Sequence, residues 1–152
     1  MPRLGVRRPL LDVLELARTR TGADAALVSE VHDGRETVRE VDQDGAFPAI
    51  VPGLSAPLRD TICERLLTGR IGHLVEDVGA DADLGALPIV RDLGVGAYLG
   101  VPLTPADART YVLCCLAREA RRDLGPDEVR FVRGLAGRVR ATLDAAGPTP
   151  FL

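Results

Sequence analysis

The order of elements along the chain predicts an α+β domain, with a mainly antiparallel sheet and a helix at each chain end. Three observations carry this. Apolar residues recur at helical spacing near both ends, as Leu10, Leu14 and Ala17 and again as Val129, Val132, Leu135, Ala136, Val139 and Leu143. An Asp33–Gly34 pair sits between two β-rich runs and marks a tight hairpin. The strands come as neighbouring hairpin pairs, not in alternation with long helices, which argues against a doubly wound sheet. A length of 152 residues suits one core.

Each element has its own signals. Residues 9–20 read as the first helix, with Pro9 in the first turn and Gly22 as the stop. Residues 25–32 and 37–42 flank the Asp33–Gly34 turn as strands, and residues 45–53 form a loop with two prolines. A second helix is expected over 56–68, capped by Ser55 and closed by Gly69, with Leu58, Ile62 and Leu66 as its buried stripe. Residues 73–78 read as a short strand. Pro88 begins a helical turn over 89–93 that Gly94 closes. Residues 97–103 and 110–118 are buried strands, apolar on both faces, with Asp107 in the turn between them. The last helix covers 126–145, with Pro126 at its start and Asp127 and Glu128 in its first turn. A single domain is therefore expected over 1–147, followed by a tail or linker stub at 148–152.

Composition narrows the function classes. Apolar residues make up 46%, enough for a sizeable core, and no run is long enough to cross a bilayer. The 19 basic residues are all Arg, the mark of a GC-rich, bacterial codon usage, and the net charge is −3. No basic face of the kind that binds nucleic acid is indicated. No secretory signal follows Met1, so a cytoplasmic location is expected. The three cysteines are odd in number and two are adjacent, which is no disulfide framework.

The run Gly94-Val-Gly-Ala-Tyr-Leu-Gly-Val-Pro-Leu103 resembles the central strand of GAF domains. Val75-Glu-Asp-Val-Gly-Ala-Asp81 resembles the strand and turn before it, and Asp60-Thr-Ile-Cys-Glu-Arg65 the helix over the pocket. Leu113-Cys-Cys-Leu-Ala117 with residues 123–136 resembles the family's closing strand and helix. The pieces keep their order and spacing over residues 10–144, and are most similar to bacterial GAF domains beside cyclic-di-GMP-turnover (EAL and GGDEF) domains. The resemblance implies a six-stranded antiparallel sheet, terminal helices on one face, and residues 53–96 covering a small-molecule pocket on the other. Three positions depart from the family pattern: Asp107-Ala108 replaces Asp-Gly, Ile62 stands before Cys63 where Tyr is common in the most similar group, and Tyr111 stands where a Gly is usual. A ring there is expected to fill part of the pocket.

Candidate pocket residues are Cys63, Leu87, Tyr98, Tyr111 and Cys115, with Asp77, Asp81, Asp83 and Arg91 in the irregular segment above them. Tyr98, Gly100 and Pro102 share one strand face, and Gly100 would leave room there. Cys114 and Cys115 point to opposite faces of their strand and cannot share a metal. His32 and His73 have no ligand partner at metal spacing, so no metal site and no cofactor are expected. No catalytic residue is assigned. The expected function is a regulatory ligand-sensing and homodimerisation module, not an enzyme. It would dimerise through the terminal helices and signal to a fused output domain or partner. The alternatives are a dimerisation scaffold with a degenerate pocket, or a thiol redox sensor acting through Cys63.

Overall fold

The computed structural model describes residues 4–106, 109–148 and 150–151; the turn residues Asp107 and Ala108 lie outside them. Six strands form one sheet in the order β3-β2-β1-β6-β5-β4, with every neighbouring pair antiparallel. The hairpin of β1 (Ala25–His32) and β2 (Arg35–Gln43) turns at Asp33 and Gly34, whose φ angles of 52° and 73° are both left-handed. That conformation matches the right-handed twist of the flanking strands and suits an Asp-Gly pair. A β-bulge interrupts the hairpin: Val28 faces Glu40 and Ser29 faces Val38, which leaves Arg39 as the extra residue. Its guanidinium reaches the carboxylate of Glu30 at 2.8 Å.

Strands β5 (Ala97–Leu103) and β6 (Thr110–Ala117) lie in the middle of the molecule and are buried along almost all their length. This explains their apolar character on both faces. One face is covered by α1 (Leu4–Thr21) and α5 (Pro126–Ala146). Here α1 begins five residues before the start read from the sequence, so Pro9 lies inside the helix. Val6, only 1% exposed, joins Leu10, Val13 and Leu14 on the buried stripe. That burial carries the helix back past the proline despite the lost hydrogen bond. In α5, Glu128 accepts a hydrogen bond from the Gly125 amide at 2.9 Å and caps the first turn. The stripe of Val132, Leu135, Ala136, Val139 and Leu143 is buried against the domain's own sheet.

Residues 53–96 cover the other face, and the second helix read from the sequence divides here. Residues Ser55–Pro57 form β3, an edge strand on β2, where Pro57 needs no ladder donor. A 3-10 turn, Leu58–Asp60, follows, and only Ile62–Leu67 forms the helix α2. Thr61, not Ser55, caps it by accepting from the Glu64 amide at 3.2 Å. Ser55 instead accepts from Arg35 Nε at 2.9 Å. The expected strand at 73–78 shortens to β4 (Leu74–Val75), since Asp77 caps a 3-10 turn at Val78–Ala80. Helices α3 (Ala82–Gly85) and α4 (Pro88–Leu93) complete the cover. Gly94, at φ 78°, ends α4 as read from the sequence. After α5, the Phe151 ring lies 6.1 Å from the Tyr111 ring and under the Arg39 guanidinium at 5.6 Å.

Candidate functional site

Two apolar clusters flank the sheet, and a cavity with several polar groups lies within the one beneath the cover. Its volume is about 90 Å³. The floor comes from Leu27, Val38, Tyr98, Cys114 and Leu116 of the sheet, and the walls from Ile62 and Cys63 of α2 and Val90 of α4. Residues 54–56 and the side chains of Ile89 and Leu93 are half-buried and form its mouth. Among the described lining residues, Glu36 is the one charged group. Its carboxylate accepts a hydrogen bond from the Ser29 hydroxyl at 2.6 Å.

The polar floor is built by close packing around a glycine. A Cβ at Gly100 would lie 2.3 Å from the Tyr98 hydroxyl and 2.6 Å from Tyr98 Cζ. The ring therefore lies over Gly100 and fills the room that the sequence reading had left open. Lying there, its hydroxyl comes within 3.2 Å of Cys63 Sγ and 3.8 Å of Cys114 Sγ. The two sulfurs are 3.7 Å apart. The hydrogen bond with Cys114, together with burial, pushes the Cys63 thiol well above its ordinary range. Burial does the same to the Tyr98 phenol, reinforced by the neighbouring cysteines. Both groups are held neutral in an apolar enclosure.

The model of the GAF domain family matches residues 8–143. The chain belongs to that family. Solved GAF structures share its fold. The phycocyanobilin-bound GAF domain of a cyanobacterial phytochrome is 17% identical at a TM-score of 0.70, covering 90% of this chain and 82% of that one. The blue-light absorbing form of the Thermosynechococcus elongatus PixJ GAF domain is 21% identical at 0.73, covering 91% and 84%. The GAF-B domain of DevS from Mycobacterium smegmatis is 22% identical at 0.65, covering 91% and 92%. The chain matches none of the curated protein sequences compared with it.

Within this GAF domain the residues singled out from the sequence divide sharply. Cys63 and Tyr98 line the cavity. Leu87 is buried in the same cluster but precedes α4 outside the lining. Tyr111 and Cys115 belong to the opposite face, beneath the terminal helices. Alternation along β6 puts Val112, Cys114 and Leu116 on the cavity side and Tyr111, Leu113 and Cys115 on the other. Tyr111 therefore cannot plug the cavity, and burial pushes the Cys115 thiol up to about 12 in the helix-side core. The polar residues above the sheet serve the cover itself. Asp77 accepts from the Ala80 amide and pairs with Arg122, and Asp81 caps α3 through the Leu84 amide. Asp83 binds Arg65 at 3.0 Å, and Arg91 donates to the Ala86 carbonyl at 3.1 Å.

The sequence reading singled out Cys115 of the strand 110–118 where Cys114 lines the cavity, and missed Glu36, Leu27 and Val38. The signal for Cys114 was the strand period of two, once Leu116 is known to face Tyr98 across β5 and β6. Among the described residues no group of three or more His, Cys, Asp or Glu is placed to hold a metal ion. His73 instead makes a 2.9 Å hydrogen bond with the Gly100 carbonyl. Among the described residues no helix is long and apolar enough to cross a membrane.

Proposed function

We propose that this GAF domain is a regulatory small-molecule-sensing module of bacterial signal transduction, acting by binding rather than catalysis. The observation that carries this is the cavity, which is apolar apart from Glu36, Tyr98 and a few neutral groups and is roofed by short elements. Only six residues form α2, four α3 and six α4. Elements this short owe their stability to packing, so a guest beneath them shifts their order at low cost. A volume of about 90 Å³ suits a small, mainly apolar ligand. This reading favours a ligand smaller than the bilin held by the phytochrome domain, since drug-sized ligands need roughly 300 Å³ or more. The cytoplasm is the compartment in keeping with three buried free thiols.

Small apolar probes should raise the melting temperature in proportion to the logarithm of their concentration. Val38→Phe, which fills the cavity from its floor, should abolish that response with the fold retained. An undiminished response in Val38→Phe would remove the cavity as the binding site.

Output is proposed to pass through the terminal helices, in a homodimer and to a cyclic-di-GMP-turnover domain of the EAL or GGDEF kind. The buried stripe of α5 faces the sheet, so a dimer must use the outer side of the helix pair. There Leu16 is 42% exposed, and Gly134 and Gly137 have open space where a side chain would stand. Light scattering at tens of micromolar tests this; a monomer would leave the helices as an internal support only.

A further inference from the structure

The pairing of Cys63 with Cys114 is not foreseen by the strand pattern, since the two residues are 51 apart in sequence. They meet because α2 presses Cys63 onto the floor of the cavity, where β6 presents Cys114. Both sulfurs line the cavity, so a molecule that enters it reaches both. Cys115, one residue further, lies on the other face of the sheet and has no access to either.

We propose that Cys63 and Cys114 form a two-thiol site that small apolar organic hydroperoxides oxidise to a disulfide, tying α2 to the sheet. A disulfide needs its sulfurs at about 2.05 Å, so closure from 3.7 Å takes a side-chain rotation and a small approach of α2. The product is neutral, which the apolar surroundings accept more readily than a thiolate. The lining selects the oxidant. An organic hydroperoxide partitions into an apolar cavity, whereas hydrogen peroxide gains nothing there. Burial keeps both sulfurs away from reagents that remain in water.

The chemistry closes without a further reactant. The Cys63 sulfur attacks the distal oxygen of the hydroperoxide; the O–O bond breaks and an S–O bond forms. The departing alkoxide takes the thiol proton and leaves as an alcohol. The Cys114 sulfur then attacks Cys63, an S–S bond forms, and the S–O bond breaks. The leaving hydroxide takes the Cys114 proton and departs as water. Two thiols have lost two electrons, and the hydroperoxide has gained them. The Tyr98 hydroxyl, 3.2 Å from Cys63 Sγ, stands where it donates to the sulfur as the proton leaves.

The test treats the whole folded chain with tert-butyl hydroperoxide, which is small enough for the cavity, blocks remaining thiols in denaturant, and maps the peptides. A Cys63–Cys114 linked peptide is expected, with Cys115 still a free thiol. Hydrogen peroxide at equal concentration should form the link at least several-fold more slowly. The link should persist in Cys115→Ser and vanish in Cys63→Ser and Cys114→Ser. The proposal is overturned if the folded native protein forms no link, or if the linked peptide contains Cys115 or joins two chains. Equal rates with hydrogen peroxide overturn the apolar selectivity. Since Cys115→Ser leaves both reacting residues in place, it keeps the test decisive even where a cavity-side serine unfolds the chain. Binding of inert apolar probes is measured separately, so failure of the thiol chemistry and failure of ligand sensing remain distinguishable.

Discussion

At Gly100 a single missing Cβ decides where a catalogue of polar atoms sits. The Tyr98 ring occupies the space over that residue, and the ring's position sets the hydroxyl beside two sulfurs. In Gly100→Ala the ring must swing away, although it is 2% exposed and closely packed. We expect a loss of about 1–3 kcal/mol in denaturant unfolding, the usual cost of overpacking a core. The Tyr98 hydroxyl would also leave Cys63, visible as a change in near-ultraviolet tyrosine circular dichroism. Unchanged stability together with an unchanged tyrosine signal would show that the ring does not depend on Gly100. The shared face of Tyr98 and Gly100 was legible from strand alternation alone. That the ring lies down over the glycine was not, because a period of two gives a side chain's face and not its rotamer.

Elements differ in how far their sequences announce them. The β1–β2 hairpin, β5 and α4 stand where Asp33–Gly34, the apolar run at 97–103 and the Pro88…Gly94 bracket place them. Local chemistry decides these elements, so local reading suffices. The region 55–68 was misread because its pattern of Leu58, Ile62 and Leu66 is helical, yet pairing of Ser55–Pro57 with β2 wins. Such pairing is a long-range gain that no local propensity encodes. The loop before α5 shows the same principle. Arg121 donates to the Thr21 and Gly22 carbonyls at the end of α1, at 2.8 and 3.0 Å, and to both oxygens of Asp123. The Arg121 hydrogen bond holds the Asp123 carboxyl down at about 2. A carboxyl depressed on folding adds stability above its unfolded value of about 3.9 and loses it as pH falls through the folded one. This clamp is thus complete above about pH 4 and lost as pH falls toward about 2. In Arg121→Ala, the Asp123 carboxyl carbon, followed by NMR, should titrate near the ordinary value of about 3.9. A midpoint still near 2 in that variant would assign the depression to another group.

The whole molecule keeps its two faces chemically separate, and β6 carries both. Cys114 lies in the cavity cluster and Cys115 in the helix cluster. The sequence made the alternation plain, but the anchor that says which parity faces which layer lies in the register of β6 on β5 and β1. The first helix and the segment after the last one share a further property. Arg7 of α1 reaches the Glu40 carboxylate at 3.6 Å, and Phe151 lies under Arg39, the neighbouring residue on β2. Antiparallel packing of α1 and α5 brings this about, since Arg20 at the end of α1 approaches Glu128 at the start of α5. Topologically, the chain is almost a closed ring. A circular permutant that joins residue 151 to residue 4 by a short glycine-serine bridge, and opens at Gly45, keeps every strand intact. It should fold cooperatively, with a melting temperature within several degrees of the original order. Non-cooperative melting of that permutant would show that α1 and α5 assemble only in their present sequence order. A permutant that folds would carry any fused reporter on the 45–53 loop, beside the cavity mouth instead of beside the helices, turning the same sheet into a sensor read from its opposite side.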